Sequence, residues 1–129
     1  FDFLKLVYAR LSKNGLLMFS TVNHRGFDIL LLGDKSEYLI GPDHLNIFTT
    51  DSIKILLERV GFKKVEVTTP GQLDVDLIVT AYKNKLIDLK LHPFIFHLLI
   101  EKGDLYRDQF QKFLQQQKLS SHMLVVAQK

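Results

Sequence analysis

The sequence predicts an α/β fold, because helix-like and strand-like segments alternate along the chain. Residues 4–11 place apolar side chains at i, i+3, i+4 and i+7, which is the period of a helix. Short apolar runs at residues 16–19 and 123–127 have the length and composition of strands. The chain has 129 residues, 47% of them hydrophobic and 24% charged, so we expect one globular domain with a substantial core.

Turn residues divide the first part of the chain. Asn14-Gly15 supplies a left-handed stop for the first helix. The uninterrupted apolar run at residues 16–19 is typical of a strand that is buried on both faces, as parallel strands covered by helices are. Residues 22–49 then form an excursion that is long for a compact domain, and such excursions are usually lids or binding loops.

The next helix and strand carry clear boundary signals. Thr49 or Thr50 can cap a helix that ends at Gly61. Residues 62–69 follow as a strand in which apolar and polar residues alternate, so one face is expected to be wetter, as near a sheet edge.

The remaining residues predict three helices and a last strand. Helices are expected over residues 74–82 and 93–103 and from Asp104 onward. The apolar stripe of the third helix is Tyr106, Phe110, Phe113 and Leu114. The last strand, at residues 123–127, has no simple crossover from the strand before it, which favours an antiparallel pair at the sheet edge. We expect a sheet of three strands with a helical insertion at about residues 72–118.

Composition and motif spacing exclude several classes of protein. The chain has no cysteine, so it has no disulfide, thiolate nucleophile or zinc–thiolate cluster. Its glycines are too widely spaced for G-x-G-x-x-G or a Walker loop, and the G-x-S-x-G of hydrolases is absent. The net charge of +3 comes from scattered side chains, and the most apolar stretch is short and interrupted. We expect a soluble, cytoplasmic protein that binds neither nucleic acid nor membrane.

Metal binding is also disfavoured by the sequence. His92 and His97 are five residues apart, so on a helix they point about 140° away from each other and do not share an ion. Asp74 and Asp76 resemble an acidic metal pair, but their place after Pro70-Gly71 favours a helix start. No metal site is predicted.

The first candidate site is the tripeptide Asn23-His24-Arg25, which directly follows the buried strand. Ligands of α/β sheets bind outside the carboxyl ends of strands, and that is where these side chains are expected. We predict a substrate-binding role for all three residues.

The second candidate loop closes the same excursion. It contains His44 between Asp43 and Asn46, and a histidine titrates near neutral pH. His44 is therefore the candidate general base or orienting group, with Asp43 and Asn46 as substrate-binding residues. The alternative is that Asp43 and His44 only tie the loop to the following helix. The apolar segment at residues 27–32 is either a pocket wall or a packing element.

Three sequence segments resemble class I S-adenosylmethionine-dependent methyltransferases. Residues 11–23, LSKNGLLMFSTVN, resemble the L-K-P-G-G-x-L-x-x-S-T-P-N stretch that carries the fifth strand of the family's Rossmann-like sheet. Residues 42–49, PDHLNIFT, resemble P-E-H-L-x-x-F-T. Residues 52–62, SIKILLERVGF, resemble the S-L-x-x-L-L-E-x-x-G-F helix before strand six. Residues 122–128 are then similar to strand seven, antiparallel to strand six.

The resemblance implies a partial Rossmann-like sheet, with the donor-binding and acceptor-binding residues in different parts of the full-length enzyme. The family's glycine-rich motif and its ribose-binding acidic residue lie on the first two strands, which are expected to precede Phe1. The chain is thus expected to be the C-terminal, acceptor-side part of a methyltransferase for a small-molecule acceptor. The full-length parent would bind S-adenosylmethionine, whereas the isolated chain would hold no cofactor and be inactive.

A non-enzymatic interaction or regulatory module is the alternative. Its support is the apolar stretch at residues 86–100 together with the aromatic helix at residues 106–113. A sheet of three strands also leaves an edge unpaired, so self-association is a further hypothesis.

Overall fold

The computed structural model describes residues 1–39 and 46–129, which form an α/β fold. The α-helices are α1 (Asp2–Arg10), α2 (Phe27–Leu32), α3 (Thr50–Val60), α4 (Asp74–Lys83), α5 (Pro93–Phe96) and α6 (Asp104–Gln116). The strands are β1 (Leu16–Val22), β2 (Lys63–Thr68) and β3 (His122–Gln128). Short 3₁₀ segments span Gly33–Lys35, Glu37–Leu39 and Leu89–Leu91, and a π-helical segment spans His97–Glu101. The predicted α/β class and its three strands are confirmed.

The described strands form one antiparallel sheet in the order β1-β3-β2. Strand β3 is central: Leu16 pairs with Gln128 and Val22 with His122 on one side, while Thr68 pairs with Leu124 on the other. The antiparallel pairing of the last two strands is therefore confirmed. An irregularity between Lys63 and Glu66 shifts the register of β2.

Strand β1 corrects one expectation from the sequence. Its side chains alternate, with Leu17 and Phe19 packed on the core, whereas Leu16 is 61% and Met18 67% exposed. The prediction of a strand buried on both faces between parallel neighbours is wrong for the described residues. The reason is that β3 runs antiparallel beside β1 and that α1 and α3 both pack on one face of the sheet.

The first hydrophobic core lies between that face of the sheet and helices α1 and α3. Ile53 and Leu57 of α3 are fully buried against Met123, Val125 and Ala127 of β3. Leu4, Tyr8 and Leu11 add the stripe predicted for α1. The Tyr8 ring meets Phe62 edge to face at 5.0 Å between ring centroids.

Local signals place the ends of α3 as expected, whereas the stop predicted for α1 needs correction. Helix α1 already ends at Arg10 with Leu11 extended, and Asn14, with a φ of 64°, lies in a separate turn in which the Gly15 N–H donates to the Ser12 carbonyl at 2.9 Å. Thr49 and Ser52 form a reciprocal capping box at the start of α3. Gly61 ends α3 with a φ of 117°, and an added Cβ would lie 3.2 Å from the Tyr8 ring, so only glycine fits there without strain.

A second hydrophobic core lies among the helices between β2 and β3. Its buried members are Val75, Ile78, Val79, Leu89, Leu99 and Leu114. Two expectations need correction here. The helix predicted at residues 93–103 is a short α5 continued by the π-helical segment. Of the stripe predicted for α6, Leu114 is buried and Phe110 packs on this core, whereas Tyr106 is 39% and Phe113 45% exposed. Gln111 is buried toward α4 in their place.

Within the described ranges, no helix combines the length and apolar character needed to cross a lipid bilayer.

Candidate functional site

A buried polar cluster lies where β1 ends and β3 begins. It joins Asp28 from the first turn of α2, Asp74 from the first turn of α4, and the pair Ser120-Ser121 just before β3. All four residues are buried, and they come from three separate parts of the chain. Buried carboxyls at a strand end are a common feature of catalytic and binding sites.

Asp74 is well satisfied by hydrogen bonds. Its Oδ1 accepts the backbone N–H of Ser121 at 2.6 Å, and its Oδ2 accepts the Ser120 hydroxyl at 2.7 Å and the Gln111 side-chain amide at 2.6 Å. Burial by itself raises the pKa of Asp74, but these three donors outweigh it and the pKa is lowered. The Asp74 carboxylate is therefore held ionised.

Asp28 is the opposite case. It is fully buried, and neither carboxylate oxygen has a hydrogen-bond partner among the described residues. The nearby Ser121 and Asp74 side chains do not reach hydrogen-bonding geometry, although both affect its titration. Burial, reinforced by the charge of Asp74, raises the pKa of Asp28 to about 6. Two carboxyls with opposite pKa shifts thus lie side by side, as general acid–base pairs do.

Two small cavities open beside this cluster. One, of about 350 Å³, is lined by Asp74, Ser121, His122, Tyr38, Leu77 and residues 70–73. The other, of about 220 Å³, is lined by residues 20–22 of β1 together with Tyr38, Ser121 and His122. Tyr38 borders both cavities, and burial followed by the charges of Asp28 and Asp74 raises its pKa. The cavities and the acidic pair form one site at the carboxyl end of β1.

Two glycines allow the chain segments to approach closely enough to build the cluster. A Cβ on Gly26 would overlap the Ser121 backbone and lie 2.7 Å from its nitrogen. A Cβ on Gly71 would overlap the Ser120 hydroxyl and lie 3.1 Å from Asp74 Oδ2. Larger residues at either position would push apart the segments that carry the two carboxyls.

Asn23 lies at this same end of β1, but its side chain is hydrogen-bonded within the protein. Its amide donates to the carbonyl oxygens of Lys118 and Ser120 at 3.3 and 3.1 Å, and its Oδ1 accepts the Arg25 N–H at 3.2 Å. The residue is buried and ties the loop after β1 to the segment before β3. Its predicted role in substrate binding stays a prediction, and its structural role is to fix Ser120-Ser121.

The other predicted site residues divide into two groups. His24, Arg25 and Asn46 are exposed on the surface. Asp43 and His44 lie outside the described residues. The first loop contacts the residues that follow the second, because Asn23 forms a parallel bridge with Phe48 and the His24 N–H donates to the Phe48 carbonyl at 2.8 Å. The structure thus brings the loop after β1 against the segment entering α3.

The segment at residues 27–32 packs on the body of the protein. Phe27 meets Phe110 edge to face at 5.1 Å between centroids, and Leu31 and Leu32 pack on the helical core. Leu32 also lines a third cavity of about 250 Å³ beside Ser36 and Tyr38. Both alternatives left open by the sequence are therefore seen: the segment packs on the helical core, and Leu32 at its end also forms part of a cavity wall.

Sequence reasoning missed Asp28, Tyr38 and Ser121 as site residues. Asp28 carried a signal, because it is the single charged residue in the apolar helix FDILLL. Asp74 was expected at a helix start, which is confirmed, but its bonds to Ser120 and Ser121 join residues far apart in sequence. No sequence pattern predicts these contacts.

In the part of the chain that the structure describes, no three acidic or histidine side chains converge as metal ligands. No family model matches the chain, and no curated protein and no solved structure matches it either. Its function is therefore inferred from its own residues.

Proposed function

We propose that this chain is the acceptor-side part of an S-adenosylmethionine-dependent methyltransferase that acts on a small molecule. The observation that carries the proposal is that β1, the strand beside the site, has an unpaired edge and an exposed face among the described residues. Among the described residues β1 has a neighbour on one side only, and its outer face exposes Leu16 and Met18. A fifth strand of a Rossmann-like sheet has a neighbour on each side and helices on both faces.

Two further features support the same proposal. Strand β3 is antiparallel to β2, as the resemblance implies for strands seven and six. The cavities open at the carboxyl end of β1, the end at which α/β sheets bind their ligands. The resemblance puts the acceptor at that end.

The donor contributes the reactive bond. Bound S-adenosylmethionine supplies a methyl group that the acceptor's lone pair attacks, while the carbon–sulfur bond breaks and its electron pair stays on sulfur. No residue of this chain matches the family's glycine-rich motif, so the chain by itself has no counterpart of the donor site.

The residues of this chain position the acceptor and receive its proton. Asp74 is ionised and lines the larger cavity, and its three hydrogen bonds use three of about four lone-pair directions, which leaves capacity for one more donor such as an acceptor O–H or N–H. Asp28, with a pKa of about 6, lines neither cavity, so in this proposal it acts through its charge on Asp74 and does not contact the acceptor. His44 remains the candidate base or orienting group that the sequence predicts.

The test compares two proteins by calorimetric titration with S-adenosylmethionine. One is the product of the gene's full reading frame, and the other is the 129-residue chain. We expect saturable binding by the full product and none by the chain, because the donor site requires the glycine-rich strand and turn. Methyl transfer by the chain alone, or a full product that binds no S-adenosylmethionine, would contradict the proposal.

An interaction or regulatory module is the second candidate. It is favoured by large apolar side chains exposed on and next to α5, with Leu91 at 77% and Phe94 at 70%. The residues that the gene's full reading frame encodes ahead of residue 1 distinguish the two proposed functions. A strand and glycine-rich turn ahead of residue 1 favours the enzyme, and an unrelated domain there favours the module.

A further inference from the structure

Among the described residues, the 350 Å³ cavity is lined by one carboxylate, Asp74, and by no lysine or arginine; its other titratable lining residues are Tyr38 and His122. Asp74 is ionised on its wall, and the carboxyl of the fully buried Asp28 is close enough to interact electrostatically with that of Asp74. The described ion pairs all lie elsewhere, each within one helix or helical segment, and none includes Asp28 or Asp74. Lys35 is directed away, because its ammonium donates to the Leu86 carbonyl at 2.8 Å.

The carboxyl of Asp28, unpartnered among the residues that the structure describes, is a second, independent observation that points to a binding site here. A buried carboxyl that only stabilises the fold is normally hydrogen-bonded, because an unpaired buried polar group destabilises the folded state. Asp74 has three donors, while the fully buried Asp28 beside it has none among the described residues. The two side chains that act most on its carboxyl, Ser121 and Asp74, both line the cavity.

The size and lining of the cavity limit what can enter. Leu77 and the Tyr38 ring supply apolar contact, while Asp74 and Ser121 supply acceptors. A volume of about 350 Å³ fits a small molecule or one end of a larger one. Three Asp, Glu or His ligands do not converge among the described residues, so a bare metal ion is not the match.

We propose that this cavity binds a small molecule through a protonated amine that lies against Asp74, with the nearby Asp28 adding a second negative charge. The ammonium group donates to the free lone pair of Asp74 and to the Ser121 hydroxyl, and its alkyl part contacts Leu77 and Tyr38. In naming the acceptor's class this rests on the proposed function, whereas the binding site itself does not need a donor.

The experiment uses the 129-residue chain and three matched probes at pH 7.5. Propylammonium, propanol and propionate are titrated separately while amide shifts are followed by NMR. We expect saturable shifts around Tyr38, Leu77 and Ser121 with propylammonium, binding at least about tenfold weaker for propanol, and none for propionate.

Two variants distinguish the effect of the buried charge on affinity from an unspecific effect of substitution on the fold. Asp28→Asn keeps the shape and removes the buried charge, and we expect propylammonium to bind it about fivefold to tenfold more weakly. Asp76→Asn removes an exposed carboxylate from the same helix as Asp74 and should change the affinity less than twofold, a screened surface effect. The variant spectra also report whether each protein is folded.

The proposal is overturned if propanol binds as well as propylammonium, if Asp28→Asn binds as well as the parent, or if the shifts map elsewhere. Because no S-adenosylmethionine is present, such a failure leaves the methyltransferase proposal standing. The calorimetric comparison, in turn, can fail while amine binding holds.

Discussion

At the scale of single residues, Asp28 is the side chain whose environment departs most from that of an ordinary surface carboxylate. Its pKa rises from 3.8 to about 6, chiefly through burial. The groups that face it from packed elements are Asp74 of α4, Tyr38 and Ser121. The ionised form is therefore disfavoured in the folded protein relative to the unfolded chain.

The raised pKa of Asp28 makes the free energy of unfolding depend on pH. Because the folded pKa lies above the unfolded one, the folded state binds the proton more tightly, and Asp28 favours folding below about pH 4. That contribution is lost as pH rises through 6. We expect Asp28→Asn to be more stable than the parent by about 3 kcal/mol at pH 8, with the difference falling close to zero below about pH 4.

Urea unfolding at several pH values checks this prediction. Asp76→Asn is the control and should follow the parent at every pH, because that carboxylate is exposed. A variant at residue 28 that is less stable than the parent at pH 8 would show that the carboxylate has a partner in solution.

At the scale of elements, short-range signals decided most boundaries. Thr49 Oγ1 accepts the Ser52 N–H at 3.1 Å, and Ser52 Oγ accepts the Thr49 N–H at 2.8 Å. The sequence left Thr49 and Thr50 open as the cap, and the hydrogen bonds select Thr49. Such signals are readable because both partners lie within one helical turn.

Removing this cap is expected to destabilise the protein modestly. Thr49→Ala loses the oxygen that satisfies Ser52 N–H, at a cost of about 1 kcal/mol in the free energy of unfolding. Thr50→Ala, one residue later and inside α3, should cost less than about 0.5 kcal/mol. Equal losses in denaturant titrations of the two variants would contradict the observed cap.

Long-range packing explains where the element predictions went wrong. The apolar stripe expected for α6 included Tyr106 and Phe113, yet both are exposed. Gln111 takes an inward position because its amide donates to Gly71 and Asp74 and its oxygen accepts the Val75 N–H. A helical period predicts which residues share a face, but the partner segments decide which face is buried.

At the scale of the whole molecule, the sheet has one covered and one open face. On the open face, Leu16 and Met18 are exposed next to the half-buried Leu124 and Val126. The outer edge of β1 has no partner among the described residues. An apolar face that continues into a free edge favours association through that surface.

We expect the 129-residue chain to self-associate as its concentration rises, and Met18→Glu to shift it toward monomer by charging that surface. Sedimentation velocity measures both. Leu105→Glu, at a site of similar exposure on α6 (66% against 67%), is the control and should leave association unchanged. A parent chain that stays monomeric at high concentration would contradict this expectation.

The sequence by itself determined the α/β class, the three strands, the start of α3 near Thr49 and its end at Gly61, and the lack of the standard phosphate-binding loop motifs. These are properties of neighbouring residues, set by periodicity, capping and backbone preference. Only the tertiary structure placed β3 between β1 and β2 and brought Asp28, Asp74 and Ser121 together. Those contacts join residues far apart along the chain, and their energy depends on burial and charge that local sequence does not encode.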